Sequence, residues 1–304
     1  MYLSIGVRTC HRNNRQDAAD DCETGGEVQM KLDMHCHTKE GSIDGNLPLL
    51  ENIQILRDKG YQGMLITDHD SYKAYSYWEK LEEKPLFVVL RGIEYDSMNG
   101  GHILIVLPTG VRPSILSIRG LPVSFLIDVV HHYGGICGPA HPYGEKFMSL
   151  MNTWFGKHHE QILKHFDFLE SFNACESRES NNKAEKLAEM YGIPGLGGSD
   201  SHRSACAGLG YTELERDILT EDDLIEYIKT KKKVTSGGDF YLHTTKQKIG
   251  RANYILVYLF WFYNRFLGYF KAGRRHVEIK RTDLKKEMRQ KRDAGDHHYI
   301  TIKK

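Results

Sequence analysis

Short apolar runs alternate with longer amphipathic stretches between residue 31 and about residue 240. The apolar runs have the length and composition of β-strands, and they are LDMHC, GMLIT, FVVLRG, HILIVL, GICGPA, FDFLES and GIPGLGGS. The amphipathic stretches have the apolar period of helices, as in LPLLENIQILRDKG, PVSFLIDVVHHYGG and NKAEKLAEMYG. This alternation predicts an α/β fold with a parallel sheet or barrel over residues 30–240.

Residues 1–29 and 241–304 do not follow this pattern. The first segment is polar and aperiodic, which is typical of a disordered arm. Met30 stands directly before the first strand-like run and could serve as an alternative translation start. The second begins with NYILVYLFWFYNRFLGYF, which is shorter than the roughly 20 apolar residues that span a bilayer. We therefore expect a helix packed on the barrel rather than a peripheral membrane helix. A basic segment without interleaved aromatic residues follows, and it indicates a solvated helix rather than a nucleic-acid partner.

The amino-acid composition excludes few classes of function, and its one informative feature is a high histidine content. The 304 residues carry a formal net charge of +1, so global charge names no partner. The six cysteines are scattered without a C-x-x-C pair, which argues against a thiolate zinc site. No signal-like segment stands at the N-terminus, so a cytoplasmic location is expected. The 16 histidines are many for this length, and their clustering is the informative feature.

Residues that can ligate metals follow the strand-like runs. They are His35 and His37, Asp68 and His69, Glu94, His141, Glu170, and Asp200 and His202. Parallel α/β folds carry their chemistry at the C-terminal ends of the strands. Side chains alternate along a strand, so the two members of H-x-H point the same way. So many acids and imidazoles converging on one rim are hard to explain as packing.

The candidate ligand set is large enough for more than one ion. It contains His35, His37, Asp44, His69, Glu94, His102, His141, Asp200 and His202. Two or three ions can share such a set if a carboxylate bridges them, and Glu94, after a middle strand, is the best bridging candidate. Imidazole and carboxylate ligands suit Zn, Mn or Fe. Paired ions that activate water commonly hydrolyse phosphoesters, and no nucleophilic side chain is then needed. Ser201, between two candidate ligands, would face away from them.

These motifs resemble those of the PHP family, which is named for polymerase and histidinol phosphatase. In order, they are HCHTKEGSIDG, LITDHD, GIEY, GHILIVL, PAHP and GGSDSH. The resemblance covers about residues 31–240. It implies a distorted (β/α)7 TIM-like barrel with two or three divalent ions at its C-terminal rim, and phosphoester hydrolysis. Residues 241–304 would then be a C-terminal helical and basic appendage associated with the barrel.

The resemblance also implies roles for the matching positions. The matching metal ligands are His35, His37, Asp44, His69, Glu94, His141, Asp200 and His202. Glu94 matches a bridging ligand, and Asp68 matches a residue that orients His69 from behind. Ile43 replaces the serine of an S-D-G motif. His102 resembles a ligand of a third metal in relatives that act on nucleotides, and its alternative role is a solvent-facing histidine at a strand start.

The substrate is less sharply defined than the site. GGHILIVL favours a phosphorylated nucleotide or short oligonucleotide over histidinol phosphate. Arg178 could bind a substrate phosphate through its bidentate fork or make a surface salt bridge. Asn173 could support the rim by hydrogen bonding, and His158, His159 and His165 are expected at the surface. Two other classes stay open: a non-catalytic regulatory module with a structural metal site, and a membrane-surface protein that uses YILVYLFWFY as an anchor.

Overall fold

The computed structural model describes residues 29–144, 148–230, 232–241 and 243, together with Ile255, Leu259 and Phe262. The disordered arm predicted for residues 1–29 and the appendage predicted for 241–304 therefore lie almost entirely outside the described residues. Within the part of the chain that is described, no helix is both long and apolar enough to cross a membrane.

Each of the seven strand-like runs forms a strand. They are β1 (Met30–Cys36), β2 (Gly63–Ile66), β3 (Val88–Asp96), β4 (His102–Val106), β5 (Ile136–Pro139), β6 (Leu169–Asn173) and β7 (Gly195–Gly198). Two further strands, β8 (Gly210–Leu214) and β9 (Val234–Gly238), were not predicted. Both contain small or polar residues and are only partly buried, so neither carries a continuous apolar signal.

The three amphipathic stretches form helices, and other helices join them. The α-helices are α1 (Leu49–Asp58), α2 (Lys73–Glu79), α3 (Val123–His132), α4 (Trp154–His158), α5 (Arg178–Tyr191) and α6 (Glu221–Lys229). Short 3-10 helices cover Ser114–Ser117, Leu150–Asn152 and Glu160–His165. Gly192 ends α5 as its C-cap, with a left-handed φ of 61°.

The sheet is mixed, whereas the alternation of strands and helices predicted a parallel one. Seven strands pair in the order β5-β4-β3-β2-β1-β8-β9. The pairs β1–β2 and β2–β3 are parallel, and the other pairs of this sheet are antiparallel. Only residues 97–101 separate β3 from β4. This connection is too short for the crossover that a parallel pair requires.

A second sheet of two parallel strands, β6 and β7, packs against the ends of the first. Two glycines permit the close approach: a Cβ on Gly198 would lie 2.4 Å from the Cβ of His35, and one on Gly138 would lie 2.3 Å from the carbonyl oxygen of Phe168. The β6–β7 pair thus contacts both β1 and β5, and the sheet curls around a common interior. The fold is α/β with a curled sheet, and closure as a (β/α)7 barrel stays a prediction.

The C-terminal ends of β1, β2, β3 and β7 meet at one rim of the curled sheet. Isolated bridges link Cys36 with Ser201 and His69 with Glu94, just where these strands end. Three non-glycine residues at the rim have a left-handed backbone, Asp70 (φ 45°), His141 (φ 29°) and Asp200 (φ 50°). Such conformations cost about 1–3 kcal/mol and tend to cluster at functional sites. The strained backbone therefore indicates a functional site at this rim.

Candidate metal centre

His35 and His37 start the site from β1. Both side chains are fully buried, and their Nε2 atoms lie 3.1 Å apart. Their Nδ1 atoms point outward, that of His35 to Glu170 Oε1 at 2.9 Å and that of His37 to the Ser42 hydroxyl at 3.1 Å. A neutral ring of His35 that donates through Nδ1 leaves the Nε2 lone pair facing inward. The alternation of β1 thus aims two imidazole nitrogens at one point, as the H-x-H spacing predicted.

Glu94 is the centre of the site. This carboxylate at the C-terminal half of β3 is only 1% exposed. Its Oε2 lies 3.5 Å from His35 Nε2, 3.3 Å from His37 Nε2 and 3.1 Å from His69 Nδ1. Its Oε1 lies 2.7 Å from His102 Nδ1 and 3.1 Å from His141 Nε2. The two oxygens therefore face two different groups of histidines, which is the geometry of a bridging ligand.

Two further carboxylates, Asp44 and Asp200, lie beside the histidines. Asp200 Oδ1 lies 3.2 Å from His37 Nε2 and 3.6 Å from His202 Nδ1. Asp44 Oδ2 lies 3.2 Å from His202 Nε2 and 3.5 Å from His69 Nε2. The rings of His37 and His202 stack with centroids 4.1 Å apart. Asp44 therefore reaches back to the site that β1 begins.

All nine predicted ligands belong to one connected set, which we call the rim cluster. Within it, donor atoms of three overlapping groups lie within 4.8 Å of one another. The groups are His37, Asp44, His69 and His202; His35, His37 and Glu94; and His69, Glu94 and His102. His102 packs edge-on against His69 and His141 at centroid distances of 5.0 and 5.4 Å. Its side chain therefore belongs to the cluster and does not face solvent.

The electrostatics of the rim cluster fit divalent cations. Burial alone would lower the pKa of His37, but hydrogen bonds to Asp200 and Glu94 outweigh it and raise the pKa to about 10. Burial alone would raise the pKa of Glu94, but the histidines around it, led by His102, hold that pKa well below its usual range. The buried carboxylates thus require positive charge nearby. Bound cations would supply that charge while the imidazoles stay neutral. The buried Oδ1 of Asp44 has no hydrogen-bond partner in the described structure, as expected of an oxygen left for an ion.

Asp68 and Arg178 make contacts other than those considered from the sequence. The Asp68 carboxylate accepts hydrogen bonds from the backbone N–H and the hydroxyl of Thr38, at 2.7 and 2.8 Å. It therefore fixes the loop directly after His37 rather than the ring of His69. The Arg178 guanidinium lies over the ring of Phe240, 4.9 Å from its centroid. A role for Arg178 in phosphate binding stays a prediction.

Glu170 is a site residue that sequence reasoning placed at a strand end but left out of the site. Its Oε1 contacts His35 Nδ1, and its Oε2 accepts the backbone N–H of His141 at 2.6 Å and the amide of Asn173 at 3.1 Å. The same amide also donates to Asp200 Oδ2 at 3.2 Å. Glu170 and Asn173 thus hold three candidate ligands from behind. The available signal was an acid ending β6, like the acids ending other strands.

We expect Glu170→Gln to lower metal affinity and activity by about 10- to 100-fold, the usual cost of losing a carboxylate behind a metal-bound histidine. Glutamine keeps the shape but removes the charge that orients the His35 ring. Metal titration by calorimetry measures the effect. Glu179→Gln is the matched control, because Glu179 is an exposed carboxylate that pairs with the exposed Lys183 at the surface. Equal metal affinity in wild type and Glu170→Gln would contradict this role.

Asp70 and Arg119 form a second feature missed from the sequence. The Arg119 Nε donates to Asp70 Oδ2 in a short hydrogen bond, and Asp96 Oδ2 lies 3.8 Å from the same nitrogen. Asp70 follows His69 in the chain, and Asp96 pairs with His102 across the β3–β4 ladder. Arg119, 24% exposed, is therefore an arginine held beside the rim cluster. The only sign of this pair in the sequence was Asp70, the fourth residue of TDHD.

The chain is similar to known proteins in one segment of its sequence and in its fold. The model of the PHP-associated family matches residues 178–232, from the start of α5 to just beyond α6. A search of curated proteins gives no match.

Several solved structures share the fold at low identity. A two-domain protein from Bacteroides vulgatus, containing a predicted PHP-like metal-dependent phosphoesterase, is 12% identical with a TM-score of 0.52, over 75% of this chain and 70% of that one. PsfC from Pseudomonas syringae is 16% identical with a TM-score of 0.52, over 75% and 97%. The lesion-specific endonuclease PfuEndoQ from Pyrococcus furiosus is 18% identical with a TM-score of 0.53, over 69% and 58%. The matched segment and the shared fold are similar to those of PHP proteins, the family that the ordered motifs resemble.

Proposed function

We propose that the protein is a metal-dependent phosphoesterase, a hydrolase that cleaves a phosphate ester with two or three divalent ions held by the rim cluster. The observation that carries the proposal is the position of Glu94, whose two oxygens face separate groups of histidines. A structural ion needs only a closed set of about four ligands. Nine candidate ligands, with the Glu94 carboxylate placed to bridge ions among them, fit a multi-metal hydrolytic centre better.

The protein residues would position the reaction rather than perform it covalently. Bound divalent ions would supply an acidified water and positive charge for the phosphate oxygens. The histidines and Glu94 would hold the ions, and Glu170 would fix the ring of His35. Asp68 would fix the loop after His37 through Thr38. Arg119, oriented by Asp70, would bind a non-bridging phosphate oxygen, since guanidinium groups recognise phosphate geometry.

The substrate proposed is a nucleotide or a short oligonucleotide. Two considerations support it: the His102 position in GGHILIVL, which belongs to the rim cluster, and the shared fold with a lesion-specific endonuclease. Histidinol phosphate is the alternative within the same reaction class. A non-catalytic metal-binding module is the alternative from another class, and the complete rim cluster argues against it.

We expect the purified chain to hydrolyse phosphate esters only with added Mn, Zn, Fe or Mg, and to lose the activity on chelation. The test measures phosphate release from nucleoside monophosphates, 3′,5′-bisphosphates, oligonucleotides, histidinol phosphate and a generic aryl phosphate with each metal. A preference for the nucleotide substrates supports the proposal, and a preference for histidinol phosphate supports the alternative. No turnover with any metal and substrate, in a protein that still binds ions, would favour the non-catalytic module.

A further inference from the structure

An exposed group of aromatic, imidazole and lysine side chains lies on the excursion between β5 and β6. Its sequence, NTWFGKHHEQILKHF, covers residues 152–166. Trp154 is 70% exposed at the start of α4. Tryptophan carries a large apolar surface that proteins usually bury, so an exposed ring needs an explanation. The rim cluster does not use any of these side chains.

The Trp154 ring is held in place from one side. It stacks on His158 with ring centroids 4.5 Å apart and an interplanar angle of 24°. The Nδ1 of His158 donates to the Trp154 carbonyl at 2.7 Å, which fixes the imidazole. Thr153 caps α4 through the backbone N–H of Gly156 at 2.9 Å. We call this stacked pair the Trp154–His158 platform.

A pocket of about 480 Å³ lies beside the platform, within the usual range for ligand sites. It is lined by Phe155, Lys157, His158, His159, Glu160, Gln161, Ile162 and His165. His159 contacts both the Phe155 ring, at 4.8 Å, and the Trp154 ring, at 5.9 Å. Aromatic faces next to lysine and imidazole groups combine base stacking with attraction for phosphate. The one acid in the lining, Glu160, accepts a hydrogen bond from the Tyr191 hydroxyl at 3.0 Å.

The excursion is attached to the rim cluster. The Ser149 hydroxyl lies 3.2 Å from His141 Nδ1, and His141 in turn contacts Glu94. Trp154 follows Ser149 by five positions in the chain, so their Cα atoms are at most about 18 Å apart. A short single strand can span that distance with one end at the rim.

We propose that this surface binds single-stranded nucleic acid, with a base stacked on the Trp154–His158 platform and the chain leading to the rim cluster. The inference rests on the proposed function and narrows its substrate, a nucleotide or a short oligonucleotide, to a strand of several nucleotides. It differs from the expectation of no stable nucleic-acid partner, which considered only the basic segment near the C-terminus. A protein partner is the competing occupant, but the lysine and imidazole groups around the ring favour a polyanion.

The test is fluorescence anisotropy of a labelled oligothymidylate of about 12 nucleotides, with phosphorothioate linkages that resist hydrolysis, titrated with the full chain. Trp154→Ala is expected to weaken binding by about 5- to 150-fold, the effect of losing one stacked base. Trp154→Phe should restore most of the affinity, because its ring can still stack. Lys157→Gln should reduce the dependence of log Kd on log salt by about one unit.

The matched control is Phe125→Ala, which removes a 45% exposed aromatic side chain from α3. It should bind the oligonucleotide like the wild type. Unchanged affinity in Trp154→Ala, or equal losses in Trp154→Ala and Phe125→Ala, would overturn the inference and leave a protein partner as the occupant. The binding assay needs no turnover, so an inactive chain that binds through Trp154 refutes only the proposed function. If the enzyme is active but its oligonucleotide affinity does not change in Trp154→Ala, only the binding site at the Trp154–His158 platform is refuted.

Discussion

Replacing Glu94 by glutamine is expected to reduce metal-dependent phosphoesterase activity by more than about 100-fold, beyond the usual effect of residues that only orient ligands. Glutamine has the same shape but presents one neutral oxygen and one N–H group. That amide cannot bridge two cations, and its N–H would point at an imidazole or an ion. The number of bound ions per chain, measured by elemental analysis after gel filtration, should fall together with the activity.

The stability of this variant provides a separate readout. Glu94 is buried among five histidines, and removing one partner of a buried charged group costs about 3–5 kcal/mol. We therefore expect a lower midpoint of denaturant unfolding in the metal-free protein. Glu51→Gln, on the exposed side of α1, is the control and should change neither quantity. Normal turnover and full metal content in Glu94→Gln would rule out the bridging role.

The positions in the rim cluster could be predicted because strand geometry is regular. The spacing of His35 and His37 matches the period-2 alternation of a strand, so it predicts that both side chains point to the same face. Acids and imidazoles at the ends of several strands then had to meet at one rim. The predicted strands and the nine side chains accordingly come together in the structure, although the sequence could not give the number of ions.

Residues that support the cluster were harder to find, because hydrogen bonds behind a ligand follow no sequence period. Asp33 shares the face of His35 and His37, and it accepts the backbone N–H of Ser199 at 2.8 Å. Burial raises the pKa of Asp33 to about 6 despite that hydrogen bond. Its neighbour in space, β7, is some 160 residues away in the chain. Local patterns therefore could not show that this acid joins β7 to β1.

The strands missed by sequence analysis have a physical cause as well. Residues of β8 alternate between buried and half-buried positions, and β9 contains two glycines. Gly210 of β8 lies directly against the Gly198 carbonyl, where a Cβ would be 2.0 Å away. Such strands form because small residues fit the limited space between neighbouring strands, and not because their sequence is apolar. Tertiary context overrides β-propensity in this case.

Substitutions of Asp200 are expected to have the second largest effect, again more than about 100-fold on activity. Its Oδ1 lies near three histidines of the rim cluster, so any substitution that removes the carboxylate should release an ion. Asp200 also has a left-handed backbone with φ 50°. Asparagine and glycine tolerate this conformation, whereas alanine pays about 1–2 kcal/mol for it. The variants Asp200→Asn, Asp200→Gly and Asp200→Ala can therefore separate ligand loss from backbone strain.

If Asp200 acts as a ligand, all three variants should lose bound metal and turnover alike, and only Asp200→Ala should unfold at a clearly lower denaturant concentration. If Asp200 matters mainly because it holds the turn after β7, Asp200→Gly and Asp200→Asn should keep metal and activity while Asp200→Ala loses them. Elemental analysis, phosphate release and denaturant unfolding on the same three preparations distinguish these outcomes. Ligand chemistry is the stronger expectation, because the backbone N–H of Asp200 is already bonded to the His35 carbonyl at 2.8 Å, a contact that every one of these substitutions retains.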